Sequence, residues 1–229
     1  MNNRDKQTSQ KLRGGYYTPK KIADFLAEWI VNGEAIQKIL EPSAGDGVFI
    51  NSLMKLNPNL EVTAVEVIRE EADKISHLTK DIINYKVINQ DFYDFYREQR
   101  QLMMQDGKIE NYDAALGNPP FIRYQYLTGE QRDFQSDILE NNGIKPNRLI
   151  NSWMAFIVAT VELVKAGGRI AFVLPTDLLQ VSYAKQLRDY LFNNLGSLSV
   201  ITFDNLVFDS IQQDVVLLLG EKLVLDYKK

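Results

Sequence analysis

The chain has 229 residues, of which 45% are hydrophobic and 24% are charged, and its formal net charge is −4. A chain of this size and composition can bury the core of one large globular domain. It contains no cysteine, which excludes disulfides and thiolate metal sites, and its one histidine, His77, excludes most histidine-based metal and nucleophilic chemistry.

With no cysteine and one histidine, we also expect no metal. No apolar run approaches the roughly 20 residues that span a bilayer, so we expect no membrane segment. Residues 1–13 are polar and charged rather than a secretory signal, which, with the absence of cysteine, favours the cytoplasm. The acidic net charge argues mildly against a large nucleic-acid footprint. Residues 1–21 are nevertheless basic, which suits either contact with phosphate or solubility alone.

Short apolar runs alternate with amphipathic stretches along the chain, which predicts an α/β fold with a mainly parallel sheet. A first helix is predicted over residues 19–31, with Thr18 as its cap and Pro19 in its first turn. Strands are predicted over residues 38–40, 60–67, 85–89, 112–116, 169–174, 198–203 and 215–219. Further helices are predicted over residues 48–56, 69–78, 153–165 and 183–193. No helix joins the last two strands, which we therefore predict to be antiparallel.

Residues 122–150 interrupt this alternation, because they show no clear periodicity. A long irregular segment inside a compact domain is usually a functional lid or a mobile loop, so we expect a mobile substrate loop here. Residues 1–15 are expected to be a flexible tail. The whole chain, residues 1–229, is expected to form a single catalytic domain.

The tetrapeptide Asn118-Pro119-Pro120-Phe121 directly follows a predicted strand. Two successive prolines cannot continue a central strand, because each lacks an N–H group and has a fixed φ angle. The chain must therefore leave the sheet in a stiff, predetermined direction. Open α/β sheets bind their ligands along the carboxyl edge of the strands, where this turn falls. An amide, a backbone carbonyl and an aromatic ring at that edge suit a flat, amine-bearing group.

A second turn, residues 41–47, joins a predicted strand to a helix. Ala44, Gly45 and Gly47 allow a ligand to approach the backbone closely. The turn lacks both the third glycine of the dinucleotide fingerprint and the lysine of a P-loop. Its acids, Glu41 and Asp46, favour a cationic ligand over a pyrophosphate.

Acidic residues also follow the next two predicted strands. Glu66 lies 21 residues beyond Gly45, the spacing at which an acid accepts hydrogen bonds from ribose hydroxyls. Asp91 can accept from an adenine amine, and the ring of Phe92 can stack on that base. Each acid alone could be an ordinary solvated residue, but three sites at successive strand ends indicate one adenosine-containing ligand.

The ordered set of motifs resembles the gamma-class adenine-specific DNA methyltransferases of restriction–modification systems, such as the Eco57I-like and TaqI-like enzymes. The matching motifs are Gly14-x-x-x-Thr18-Pro19, Glu41-Pro42-x-Ala44-Gly45-Asp46-Gly47, Glu66, Asp91-Phe92 and Asn118-Pro119-Pro120-Phe121. The resemblance covers nearly the whole chain. It implies a Rossmann-like class I fold with a seven-stranded, mostly parallel sheet, one antiparallel strand and helices on both faces.

The resemblance also implies S-adenosylmethionine as cofactor and DNA as partner. Residues expected to hold the methionine part of the cofactor are Tyr17, Thr18, Glu41, Ala44, Gly45 and Asp46. Glu66 is expected to bind the ribose, and Asp91 with Phe92 the adenine.

The family chemistry assigns the target adenine to the Asn-Pro-Pro-Phe turn. Asn118 and Pro119 would accept the hydrogens of its amine, next to the cofactor methyl group. Pro120 and Phe121 complete the expected catalytic turn, and Asn118 is also expected to contact the cofactor. Phe121 and, more loosely, Phe208 would stack on the base after it has been flipped out of the duplex.

Several alternatives remain open at this point. A protein glutamine amide methyltransferase shares the Asn-Pro-Pro-aromatic motif, and RNA or a cytosine amine are further substrates. A cofactor-binding structural subunit of a defence complex is the non-enzymatic alternative. No recognition region is visible after the predicted last strand, so we expect target recognition to reside in a missing domain or a separate subunit.

Overall fold

A computed structural model describes residues 17–106, 112–122, 124–146, 151–203 and 214–224. Its centre is a seven-stranded sheet with the order β3-β2-β1-β4-β5-β7-β6. The strands are β1 (Lys38–Glu41), β2 (Glu61–Val65), β3 (Tyr85–Ile88), β4 (Tyr112–Gly117), β5 (Val164–Pro175), β6 (Leu195–Ile201) and β7 (Val215–Lys222).

The α-helices of the described ranges surround this sheet. They are α1 (Lys20–Val31), α2 (Val48–Leu56), α3 (Arg69–Leu78), α4 (Phe92–Asp106), α5 (Gly129–Asn141), α6 (Ser152–Leu163), α7 (Asp177–Gln180) and α8 (Lys185–Asn194). Short 3₁₀ turns lie at Tyr124–Tyr126 and Ser182–Ala184. None of the helices within these ranges is long and apolar enough to cross a membrane.

Strand pairing confirms the predicted mixed sheet. Strands β1 to β5 pair in parallel, whereas β7 runs antiparallel to both β5 and β6. Consecutive residues are buried along β4 and along the second half of β5. Because neighbouring residues of a strand point to opposite faces, helices must cover both faces of the sheet centre.

Helix α6 passes through the core. Nearly all of its side chains are buried, which explains why its sequence is apolar on every side. Predicted to run over residues 153–165, it ends at Leu163, where β5 begins at once. Gly167, which has a φ angle of 76°, therefore lies in the first part of β5 and does not end the helix.

The structure corrects the predictions at three further places. Pro19 rather than Thr18 occupies the N-cap position of α1, and no side chain caps that helix. Phe92 begins helix α4, which the sequence did not reveal, instead of ending β3. Within residues 122–150, helix α5 spans Gly129–Asn141 and starts with a capping box between Thr128 and Gln131.

Gly168 provides a test of the β4–β5 packing. A Cβ atom there would lie 2.6 Å from the Asp113 carbonyl oxygen and 2.6 Å from Val164 Cγ1. We therefore expect Gly168→Ala to lower the free energy of unfolding by about 1–3 kcal/mol in urea titrations. Gly129→Ala is the matched control, because a Cβ atom there meets nothing within 4 Å. Equal stability of the two variants would contradict this packing.

Candidate active site

The carboxyl ends of β1, β2, β3 and β4 meet at one edge of the sheet. Their parallel registers align Glu41 with Ala64 and Val65 with Ile88. The loops that follow these strands carry the acids and the turn identified in the sequence. Since parallel strands deliver their carboxyl ends to the same side, residues distant in sequence converge on one cleft.

Glu41 is the most unusual group at this edge. Its side chain is fully buried, and neither carboxylate oxygen has a hydrogen-bond partner within the described residues. Burial, reinforced by the nearby charges of Asp46 and Glu66, raises the pKa of the Glu41 carboxyl well above 4.5. A buried acceptor without a donor is unfavourable unless a ligand supplies one, and an ammonium group would fit it.

The turn after β1 is bound to Glu66 through its backbone. Gly45, with a φ of 55°, donates its N–H to Glu66 Oε2 at 2.7 Å, and Ile68 N–H donates to Oε1 at 2.7 Å. A Cβ atom at Gly45 would meet no atom of the described residues within 4 Å, so these residues leave the space in front of the turn open. Burial raises the pKa of Glu66, although these two N–H donors oppose the rise.

The other residues of the turn hold its shape. The Ala44 N–H donates to the Val65 carbonyl at 2.9 Å, which ties the turn to the end of β2. Asp46 is exposed and its Oδ1 accepts from the Val48 N–H at 3.2 Å. Asp46 therefore satisfies a donor at the start of α2 while remaining at the rim of the cleft.

Asp91 lies at the end of β3, ahead of α4. Its Oδ1 accepts from the Tyr93 N–H at 2.8 Å, and burial raises its pKa despite this bond. A cavity of about 240 Å³ opens beside it, between the start of α4 and the start of α5. Arg97 and Phe134 form part of the far wall, with the guanidinium 4.3 Å from the ring centroid.

The ring of Phe92 contributes little surface to a ligand. It is 5% exposed and packs 4.3 Å from the ring of Phe156, in an aromatic cluster that includes Phe95 and Tyr96. The cluster supports the wall behind Asp91 from the core side. This arrangement leaves the main chain of Phe92, rather than its ring face, near the strand end.

The Asn-Pro-Pro-Phe turn is held by three hydroxyl groups from distant parts of the chain. Asn118 Nδ2 donates to Thr18 Oγ1 at 3.2 Å, and Ser43 Oγ donates to the Asn118 carbonyl at 3.1 Å. Ser152 Oγ donates to the Pro120 carbonyl at 3.0 Å. Because Nδ2 of Asn118 faces Thr18, the amide oxygen is directed to the other side of the side chain.

The remaining predicted site residues divide into three cases. Phe121 is largely buried next to the turn, with 8% of its surface exposed. Tyr17 is half exposed, and burial together with the charges of Glu71 and Asp46 raises its pKa. Phe208 lies outside the described residues.

Ser43 and Ser152 were missed in the sequence. Ser43 occupies the unspecified position of the Glu-Pro-x-Ala motif, and Ser152 begins a helix that is apolar apart from Thr160 and Glu162. A lone polar residue at the start of such a helix is a weak signal that a cap or a long-range bond is needed there. Nothing in the described residues groups three or more metal-ligating side chains.

Solved structures with this fold include a class I S-adenosylmethionine-dependent methyltransferase from Listeria monocytogenes. Its TM-score is 0.65 at 16% identity, and the alignment covers 91% of this chain and 60% of that one. DrdV, solved as a complex with DNA, gives a TM-score of 0.70 at 14% identity, with 94% and 27% covered. The fold is that of the class I S-adenosylmethionine-dependent methyltransferases.

Sequence comparison narrows this class. The type II methyltransferase M.HincII of Haemophilus influenzae is 29% identical over 208 residues, 89% of this chain and 36% of that protein. Residues 47–208 match the Eco57I restriction-modification methylase family, and the chain belongs to that family. S-adenosylmethionine is the cofactor. The chain spans about a third of the length of the curated type II methyltransferases that it matches.

The buried carboxyl of Glu41 predicts a pH-dependent stability. Because its pKa in the folded state is raised, the folded protein binds more protons than the unfolded chain above pH 4.5. As the pH rises above 4.5, the free energy of unfolding of the wild type should therefore fall relative to that of Glu41→Gln. The fall should reach up to about 1.4 kcal/mol per pH unit until the pKa of Glu41 in the folded state is passed. Urea titrations of the unliganded protein at several pH values measure this difference.

Glu61→Gln changes the net charge equally at an exposed position and serves as the control. We expect Glu41→Gln, but not Glu61→Gln, to weaken S-adenosylmethionine binding by about 10–100-fold in calorimetry. A stability difference between wild type and Glu41→Gln that stays constant with pH would contradict the raised pKa.

Proposed function

We propose that this chain is a catalytic domain that transfers a methyl group from S-adenosylmethionine to the 6-amino group of an adenine flipped out of DNA. The observation that carries the proposal is the fixed Asn118-Pro119-Pro120 turn beside the buried carboxyl of Glu41, which has no hydrogen-bond partner among the described residues. The turn provides acceptors for a planar amine, and the carboxylate suits the ammonium group of the cofactor. Both lie at the carboxyl edge of neighbouring parallel strands.

The proposed cofactor site follows the strand ends. Glu41 would bind the ammonium group, with the open backbone at Ala44 and Gly45 against the methionine part and with Tyr17, Thr18 and Asp46 around it. Two of the lone-pair positions of Glu66 are already used by N–H donors, which leaves others for ribose hydroxyls. Asp91 and the main chain of Phe92 would bind the adenine. Bound there, the cofactor supplies an electrophilic methyl group on a sulfonium.

The chain's own part in the reaction is to prepare the amine nitrogen. The lone pair of an adenine 6-amino group is delocalised into the ring, which makes the nitrogen a poor nucleophile. Acceptance of its two hydrogens by Asn118 Oδ1 and by the Pro119 carbonyl would shift electron density onto the nitrogen and stabilise the positive charge that develops there. A proton then leaves the methylated nitrogen for water, so neither a histidine nor a metal is required.

The position of the Pro119 carbonyl supports this assignment. The carbonyls of Asn118 and Pro120, on either side of it, accept hydrogen bonds from serine hydroxyls. No donor in the described parts of the chain bonds to the Pro119 carbonyl itself. Together with Asn118 Oδ1, this backbone carbonyl would be an acceptor for the substrate amine.

The target base would be held by stacking. An adenine inside a duplex cannot reach this cleft, so it must be flipped out, as in other enzymes that modify bases. Phe121, and Phe208 from outside the described residues, would stack on its faces, which contributes about 1–3 kcal/mol per base. Because the chain covers about a third of its curated relatives, we propose that sequence recognition resides in another domain or subunit.

Replacement of the catalytic amide is the first test. We expect Asn118→Ala to lower the rate of methyl transfer to DNA by about 10²–10³-fold, because one preorganised acceptor is lost. The affinity for S-adenosylmethionine in calorimetry should change little. Asn194→Ala, which removes a partly buried amide at the end of α8, is the matched control. Unchanged turnover in Asn118→Ala would remove this residue from the mechanism.

The chemical identity of the product separates the remaining substrates. The protein is incubated with labelled S-adenosylmethionine and genomic DNA from a host without adenine methylation, which offers many target sequences at once. We expect the label in 6-methyladenine after digestion to nucleosides. Label in 4-methylcytosine, in RNA, or in the glutamine of a release factor would contradict the proposal and would identify that group as the substrate instead. Cofactor binding without transfer to any of these substrates would favour a structural subunit.

A further inference from the structure

We propose that Ser152 is a positioning residue for the proposed methyl transfer, because its hydroxyl fixes the direction in which the Pro119 carbonyl points. This inference rests on the proposed function. Ser152 does not itself touch the expected substrate; it acts through the Asn-Pro-Pro-Phe turn. Neither the sequence motifs nor the family match assigns it a role.

Ser152 forms hydrogen bonds to the turn through both its hydroxyl and its backbone N–H. Its hydroxyl donates to the Pro120 carbonyl at 3.0 Å and accepts from the Ile122 N–H at 3.1 Å. Its own N–H donates to the Ile122 carbonyl at 3.0 Å. The side chain is only 3% exposed. A hydroxyl can donate one hydrogen bond and accept another at the same time, so the Ser152 hydroxyl satisfies both the Pro120 carbonyl and the Ile122 N–H.

These bonds fix the peptide planes around the acceptor. The plane that contains the Asn118 carbonyl is held by Ser43, and the plane that contains the Pro120 carbonyl is held by Ser152. The φ angles of Pro119 and Pro120 are fixed by their rings. The Pro119 carbonyl lies in the peptide plane between these two, so its direction follows from theirs. Loss of either hydroxyl would release one of the two peptide planes that flank the Pro119 carbonyl.

A further bond connects Ser152 with the expected adenine-binding end of the cleft. The Tyr93 hydroxyl donates to the Ser152 carbonyl at 2.8 Å, while the Tyr93 N–H donates to Asp91 Oδ1 at 2.8 Å. Tyr93 therefore joins the loop after β3 to the first residue of α6. Through Ser152, the same connection reaches the turn after β4, so the two ends of the site are fixed relative to each other.

The test compares variants within helix α6. Ser152→Ala removes both hydroxyl bonds, and Ser152→Thr restores a hydroxyl on the same carbon. Thr160→Val is the matched control, because it removes a buried hydroxyl from the same helix. Within the described part of the chain, that hydroxyl bonds only to the Phe156 carbonyl one turn earlier. Thermal melting checks that every variant is folded.

Two readouts separate positioning from general stability. We expect Ser152→Ala to lower the single-turnover rate of methyl transfer at saturating cofactor and DNA by about 10²-fold, the size expected when an acceptor is misplaced by about 1 Å. The dissociation constant for S-adenosylmethionine should stay within about twofold of that of the wild type. Ser152→Thr should recover most of the rate, and Thr160→Val should leave it unchanged.

Amide hydrogen exchange measures how firmly the turn is held, independently of methyl transfer. In Ser152→Ala the Ile122 amide should exchange at least about tenfold faster, whereas amides in the middle of α6 should keep their wild-type rates. Unchanged Ile122 exchange, or an equal loss of rate in Thr160→Val, would overturn the role of Ser152. A wild-type protein that binds cofactor but transfers no methyl group would instead refute the proposed function, while Ile122 exchange still decides whether Ser152 holds the turn.

Discussion

The site depends on a rigid turn in which the Pro119 carbonyl has no donor within the described residues. The double proline takes the chain out of β4 in a fixed direction, and hydroxyls from Thr18, Ser43 and Ser152 hold the turn from three sides. These hydroxyls come from the segment before α1, the loop after β1 and the start of α6. The catalytic geometry therefore requires the whole sheet and its helices to be assembled, although the reacting groups lie within two residues of sequence.

The cofactor side of the cleft depends on two buried carboxyl groups. Glu41 and Glu66 lie close together and are both buried, yet only Glu66 has N–H donors among the described residues. Glu66 shapes the turn after β1, whereas Glu41 remains an uncompensated acceptor. Such a group lowers the stability of the unliganded protein and strengthens binding of a cation. At this position the chain gives up stability in favour of an acceptor that suits a positively charged ligand.

Much of this architecture could be predicted from the sequence, because β-rich runs, prolines and strand-end acids are local signals. The sheet, its antiparallel β7 and the placement of Glu41, Glu66, Asp91 and Asn118 at one edge followed from them. Helices α4 and α5 were missed, since their apolar residues are interrupted by many polar ones. The partners of Thr18, Ser43 and Ser152 could not be predicted, because each lies at least 30 residues away along the chain.

The central claim is that the Pro119 carbonyl and the Asn118 amide face the methyl group of the bound cofactor. The most direct measurement is a crystal structure with sinefungin, an analogue that carries an amine in place of the S-methyl group. We predict that this amine lies within hydrogen-bonding distance of the Pro119 carbonyl or of Asn118 Oδ1, with the amino-acid ammonium group of the analogue against Glu41. An analogue bound with its amine directed away from the turn, or a Pro119 carbonyl that points out of the cleft, would contradict the account.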